Sequence, residues 1–231
     1  MTRVTVVADG EGAARRTADV LANHINDARV RGTAVHIALA GGSTPRRAYE
    51  LLADMQGSWN HVHLWLADER CVAPGDPAAN ATMVDESLLA RRRAESGPHL
   101  HRVHGELGPE DAAWLYGIEL VRAIGDRPTF DLVLLGLGED GHTASLFRGH
   151  PAAGAREAPV VGVHGAPKPP PERVTLTLPV LRRARFSVLL ATGASKADAL
   201  AGVRAGDERL PAARLGDTLD EIVCDEAAAG G

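Results

Sequence analysis

The chain has 231 residues, with 25 Lys and Arg against 30 Asp and Glu and a formal net charge of -5. That length buries one substantial core, so a single domain over residues 1–231 is expected, and the acidic balance without a Lys/Arg stripe excludes a general nucleic-acid binder. Cys71 and Cys224 lie too far apart to form a disulfide framework, and no segment reaches the ~18 apolar residues of a membrane helix or the pattern of a signal peptide, so a cytoplasmic protein with no membrane partner is expected.

Val4 to Ala8 reads as a first strand, and the apolar spacing from Glu11 to Arg29 as an amphipathic helix. A second strand, Val35 to Ala40, meets a helix from Pro45 to Met55 through Gly41-Gly42-Ser43-Thr44-Pro45. Proline at the first helical position costs no hydrogen bond, Ser43 or Thr44 is placed to cap, and the free N–H groups at the positive helix end make an anion site. A phosphate fits there, but the loop lacks the Gly-Lys-Ser/Thr ending of a nucleotide P-loop and is not read as one.

A third strand, Val62 to Ala67, runs into Asp68-Glu69-Arg70, an acid pair and a guanidinium suited to the hydroxyls and phosphate of one ligand. Cys71 beside Arg70 reads as a small buried hydrophobe rather than an activated thiol. A helix is expected from Ala81 to Arg92 and another from Asp111 to Ile124. Between them His99, His101 and His104 look superficially like metal ligands, but they adjoin Pro98 and a short strand without helical ligand spacing, and no metal site is expected there.

The strand Phe130 to Leu135 leads into Gly136-Leu137-Gly138-Glu139-Asp140-Gly141-His142. Histidine accepts and returns a proton near neutral pH, and Asp140 is placed to orient its ring or to contact substrate. The run spells G-x-G-x-x-G, yet Glu139 and Asp140 would occupy the pyrophosphate cradle, and Thr143 to Phe147 leaves one helical turn where a dinucleotide unit needs a full crossover helix. The proline-rich run Ala166 to Glu172 cannot be helix; a rigid loop is preferred over an interdomain linker, since about sixty residues remain beyond it. Strands at Val174 to Leu178, Phe186 to Ala191 and Glu221 to Cys224 follow, with a helix from Ser195 to Arg204 behind Gly193-Ala194-Ser195-Lys196. Lys196 either lies along the surface or reaches the phosphate. The tail Ala227 to Gly231 is expected to fray.

Strands alternating with helices imply an α/β protein with a mostly parallel sheet covered on both faces, and such sheets bind ligands beyond the carboxyl ends of their strands. Four blocks then match one family: Gly41 to Pro45, Asp68 to Arg70, Gly136 to Phe147, and Lys168 to Leu176. Together they resemble the lactonase branch of the glucosamine-6-phosphate isomerase/6-phosphogluconolactonase family, from Val35 to about Leu200. The resemblance implies a Rossmann-like, doubly wound sheet of the NagB-like type and hydrolysis of 6-phospho-D-glucono-1,5-lactone in the oxidative pentose phosphate pathway. It implies no metal or organic cofactor.

By the same resemblance His142 is the general base, with Asp140 beside it, and Thr44, Arg70 and Lys196 hold the phosphate. Gly41, Gly42, Ser43, Asp68, Glu69 and Gly141 complete the expected substrate contacts, and Arg173 is assigned to the lactone or carboxylate end. Arg148 stands where the family usually has proline, and Arg182 where asparagine is common; the first bears on loop shape, the second on a polar contact. A monomer or weak homodimer is expected. Two alternatives remain open: an aminosugar-phosphate isomerase/deaminase, whose usual glutamate-containing pattern after Gly-His is replaced here by Thr143-Ala144-Ser145-Leu146-Phe147, and a non-catalytic sugar-phosphate sensor, whose helix-turn-helix module has no room before Val4.

Overall fold

The computed structural model describes residues 1–91 and 97–230. Its strands in chain order are β1 (Arg3–Val7), β2 (Val35–Leu39), β3 (Val62–Leu66), β4 (Asp68–Arg70), β5 (His99–Leu100), β6 (Leu132–Gly136), β7 (Val160–Val163), β8 (Arg173–Leu176), β9 (Ser187–Ala191) and β10 (Glu221–Asp225). Its helices are α1 (Gly10–Arg31), α2 (Ser43–Met55), α3 (Asn80–Val84), α4 (Pro109–Ile124), α5 (Leu178–Leu181), α6 (Ala197–Arg204) and α7 (Glu226–Ala229).

Side-chain parity decides the layering. Along β6, Leu132 and Leu134 join one hydrophobic cluster while Val133 and Leu135 join the other, because successive strand residues leave opposite faces. In β9, Val188 and Leu190 part from Leu189 and Ala191 in the same way. Burial on both faces is what a parallel sheet requires. Among the described residues seven strands form it in the order β1-β10-β9-β6-β2-β3-β5, every pair parallel. Helices α1 and α2 cover one face with Leu21, Ile25, Tyr49 and Leu52; α4 and α6 cover the other with Tyr116, Leu120 and Leu200. The fold is the doubly wound α/β sheet that the strand and helix order implied.

A second, antiparallel sheet of order β4-β8-β7 was not legible, and it packs into the cluster that α4 covers, through Val160, Val163, Val174 and Leu176. The expected strand at Val174 to Leu178 runs in this sheet, as β8. The link between the sheets is Ala67, whose N–H donates to Leu39 O at 2.9 Å and whose carbonyl accepts from Leu176 N at 2.9 Å. Asp68-Glu69-Arg70 is therefore a strand rather than a cap on β3.

Three further expectations need correction. The helix from Ala81 is shorter than its apolar pattern: α3 passes into a wider turn at Asp85–Leu89, and Arg92 lies outside the described residues. The tail does not fray at Ala227, because the Asp225 carboxylate accepts from Ala228 N at 2.8 Å and caps α7; Gly231 lies outside the described residues. The Ser195 helix begins as a 3₁₀ turn over Ala194–Lys196, before α6. The proline-rich run is a loop, closed by Ala166 N donating to Pro171 O at 2.9 Å. No helix among the described residues is long and apolar enough to cross a membrane. Cys224 is buried and Cys71 half-buried, with its thiol pushed up to about 11 by burial and then by Glu172, as a non-nucleophilic cysteine should be.

Candidate active site

Strands β2, β3 and β6 all point their carboxyl ends into one cavity of about 210 Å³, lined by Gly41, Gly42, Asp68, Arg70, Asn80, Gly138, His142, Lys168, Arg173 and Lys196 among others. Its lining carries four cations, Arg70, Lys168, Arg173 and Lys196, against the single carboxylate of Asp68. A chain of net negative charge thus keeps a positive cleft, which focuses an anion. The cleft continues over the start of α2, where Ser43, Thr44, Thr192 and Lys196 form the wall.

The first loop meets the cleft as expected, by a different local device. Helix α2 starts at Ser43, so Pro45 is its third residue, and the N-cap is Gly42, at φ 115°, with no side-chain capping bond. Ser43 and Thr44 are therefore inside the helix and do not cap it; Thr44 Oγ1 instead shares a hydrogen bond of 2.6 Å with Thr192 Oγ1. The first-turn N–H groups of α2 have no intrahelical acceptor, which preserves the anion site. A Cβ on Gly41 would stand 2.1 Å from Asn80 Oδ1, so glycine there is what lets Asn80 reach the cleft.

The glycine loop after β6 folds on itself around His142. Gly138 N donates to His142 O at 2.8 Å, Gly141 N to Gly138 O at 2.9 Å, and Thr143 Oγ1 to Gly136 O at 2.9 Å. His142 Nδ1 is hydrogen-bonded to Asp140 Oδ1, and its ring lies 4.6 Å from that of Phe147. A Cβ on Gly138 would sit 2.0 Å from His142 Nδ1, so this glycine makes the space the imidazole occupies. Burial alone raises the Asp140 carboxyl, but its bond to His142 and the imidazole charge outweigh that and hold it below its usual range. Residues Thr143 to Leu146 form a tight turn closed by Leu146 N donating to Thr143 O at 3.0 Å, with no helix, in keeping with rejection of a dinucleotide fingerprint. Gly141, at φ 79°, packs against Leu210.

In the second block the three residues separate. Asp68 is 7% exposed; Oδ2 accepts from Ser145 Oγ at 2.6 Å and lies 3.9 Å from Arg173 Nη1. Arg70 reaches Ala78 O with Nη1 at 2.5 Å, while its buried Nε has no partner among the described residues. Glu69, expected as a substrate contact, is buried and does not line the cleft. Its Oε1 accepts from Arg70 N and Asn80 N at 2.7 and 2.6 Å and its Oε2 from Ala81 N at 2.7 Å, so it fixes the start of α3 against β4. Burial pushes its carboxyl up to about 7 despite those three donors.

Arg173 is the pin of the proline-rich loop. It donates to Pro170 O at 2.9 Å, Lys168 O at 2.8 Å and Ser145 Oγ at 3.3 Å, and lies 5.5 Å from the Phe147 ring centroid. Burial lowers its guanidinium, which Asp68 partly offsets. Lys168, which sequence reasoning passed over, is thereby fixed at the cleft, with Nζ 2.9 Å from Glu139 Oε1. Its signal was its position as the lone cation of a proline-stiffened run. Asn80 and Ser145 were also missed; nothing local marks a single amide or hydroxyl that reaches the site through tertiary folding. Arg148 and Arg182 are exposed and line neither part of the cleft, and Arg182 instead faces Asp217 at 3.7 Å.

Away from the cleft, His104 turns to Glu106 at 3.1 Å, whereas His99 and His101 converge with Glu119 of α4. The expectation of no metal site there rested on the spacing of the histidines along the chain, which leaves Glu119 out.

By fold and site the molecule is a NagB-like, doubly wound α/β protein with a cationic, anion-ready cleft at the carboxyl edge of its sheet. A family model described as glucosamine-6-phosphate isomerases/6-phosphogluconolactonase matches residues 8–224, and the chain belongs to this family. It is 38% identical over 234 residues to a 6-phosphogluconolactonase of Streptomyces coelicolor, covering 91% of this chain and 87% of that one. It is 41% identical over 184 residues to a human 6-phosphogluconolactonase, covering 68% and 71%. A solved 6-phosphogluconolactonase from Leishmania guyanensis superposes with a TM-score of 0.83 at 30% identity, over 100% of this chain and 98% of that one.

Proposed function

We propose that this chain is a lactone hydrolase that converts 6-phosphogluconolactone to 6-phosphogluconate in the oxidative pentose phosphate pathway, with His142 as general base. The family and its lactonase relatives support the reaction. The observation that carries the assignment of roles is the His142–Asp140 pair opening onto a cleft lined by four cations.

Asp140 accepts from Nδ1–H and so leaves the lone pair on Nε2 of His142. That nitrogen takes a proton from water as the water oxygen bonds to the lactone carbonyl carbon; the tetrahedral oxyanion collapses, the ring C–O bond breaks, and the imidazolium returns the proton to the departing ring oxygen. The phosphate is bound by the Arg70 guanidinium, by Lys196, and by the start of α2 at Gly42, Ser43 and Thr44. Gly138 and Gly141 N–H are already used within the loop, which leaves Lys168 and Arg173 as the cations that face the developing oxyanion. Asp68 accepts from the sugar hydroxyls.

The reading takes residues 1–231 as one domain, cytoplasmic, a monomer or weak homodimer, with neither metal nor organic cofactor in the reaction. The decisive measurement is proton release from freshly made 6-phosphogluconolactone above its spontaneous opening. A rate indistinguishable from background at micromolar protein, or ammonia release from glucosamine 6-phosphate, would reverse the assignment.

A further inference from the structure

On the edge of the sheet opposite the cleft, we infer a site for a divalent transition metal of the Zn²⁺ class, with His99, His101 and Glu119 as ligands. One ligand atom from each of these three residues lies within 4.8 Å of the other two. His63 pairs with His99 in the parallel register of β3 and β5, at the second residue of β3, far from the carboxyl ends that form the cleft.

The central ligand is held ready. The His101 ring stacks on Trp65 with centroids 3.6 Å apart and planes 4° apart, so the side chain cannot rotate freely. One ring nitrogen, Nδ1, faces Glu119 Oε1 at 2.5 Å, and the other, Nε2, lies 3.0 Å from His63 Nδ1. Metal-bound imidazoles characteristically carry such a second partner, which fixes the ring and its tautomer. With the ion on Nδ1, the His101 proton resides on Nε2 and donates to His63, and the proton formerly shared with Glu119 is displaced. A tetrahedral ion with bonds of about 2.1 Å separates its ligands by about 3.4 Å. The His101–Glu119 contact opens to that spacing, and His99, which is exposed, swings in.

Two imidazoles and a carboxylate favour Zn²⁺, Co²⁺ or Ni²⁺ over the hard cations Mg²⁺ and Ca²⁺. Three protein ligands leave a fourth position to water. The consequence is structural: β5, only two residues long at the edge of the sheet, would be tied to α4. The chelation joins positions twenty residues apart in sequence, which is why spacing along the chain did not reveal it.

The test is Co²⁺ titration of the full-length protein after EDTA treatment, followed by thermal melts with Zn²⁺. The expected result is one equivalent of Co²⁺ with an intense visible band of four-coordinate type, lost in both His99→Ala and Glu119→Gln. Zn²⁺ at a hundredfold excess over Kd should raise the wild-type melting temperature by roughly 5–10 °C and leave both variants unmoved. Melts of the variants in EDTA, within a few degrees of wild type, establish that they fold. Absence of the band, its survival in either variant, or a Zn²⁺ shift of equal size in the variants would each overturn the site.

Discussion

The same pair, an imidazole hydrogen-bonded through Nδ1 to a carboxylate, occurs at both ends of the parallel sheet with opposite surroundings. At the carboxyl edge His142 and Asp140 sit on a glycine loop, 16% and 39% exposed, and His142 lines a cleft with four cations. At the amino edge His101, 6% exposed, lies within a stack of rings, with Trp65 on it and His36 4.6 Å from His63, and its partner Glu119 is 42% exposed. Burial lowers His36, His63 and His101 below their usual value, and like charge from neighbouring imidazoles reinforces it, although Glu119 partly opposes it at His101, so these three rings are held toward the neutral form. The difference teaches that a histidine–carboxylate pair is not a catalytic signature in itself. Access to a ligand-sized space, and the charge lining that space, distinguish an acid–base pair from a structural one.

The largest effect that separates the two ends is expected from His142→Ala, which should cut lactone hydrolysis 10² to 10⁴-fold while the thermal melt barely moves. The matching change at the other end, His101→Ala, should leave turnover nearly intact and lower the melting temperature, since it removes the ring on which Trp65 stacks. If the two variants exchanged phenotypes in rate and melt assays, the contrast would be lost. Gly138→Ala sharpens it further. The new methyl would occupy the imidazole's place, 2.0 Å from Nδ1, so turnover should fall by about 10² or more with His142 still present. A KM effect comes next: Arg70→Ala removes a charge-assisted phosphate contact and should raise KM roughly 10- to 100-fold, with a smaller change in kcat. Steady-state kinetics that showed kcat falling alone would place Arg70 at the reacting bond instead of the anchor.

How much of this was legible follows from what each signal depends on. Six strands of the parallel sheet, all but the two-residue β5, were readable as apolar runs, and the His142 loop was readable because glycine spacing and a histidine fall within seven consecutive residues, Gly136 to His142. Strand β4 was not readable: three charged residues carry no apolar period, and they form a strand only because β8 offers its edge. The structural work of Glu69 was hidden for a related reason, since a carboxylate near a phosphate motif looks like a ligand contact until two N–H donors from the start of α3 and one from β4 converge on it. Asn80 and Lys168 enter the cleft through Gly41 and Arg173, partners distant in sequence.

The smallest predicted effect tests the neutral edge directly. Trp65 Nε1 donates to His36 Nδ1 at 3.2 Å, which requires that nitrogen to be unprotonated, and burial, His63 and His101 together bring His36 down to about 4 while Asp131 partly opposes them. The folded chain therefore binds fewer protons at His36 than the unfolded chain between pH 6.5 and about 4, so stability present above 6.5 is lost as pH falls through that window. His63 and His101 act in the same direction. Glu69 acts in the other: with its folded value raised from 4.5 to about 7, its contribution is greatest in acid and declines as pH rises between those values. His36→Gln keeps an acceptor for Trp65 and removes one titrating ring. After allowance for solvent screening of a partly exposed group, it should shrink the loss of stability between pH 7 and pH 5 by about 1 kcal/mol, or roughly 2–4 °C in the melt. An identical drop in variant and wild type would mean that His36 is as free to protonate in the folded chain as in the unfolded one, and that the amino edge is not held neutral by its ring stack.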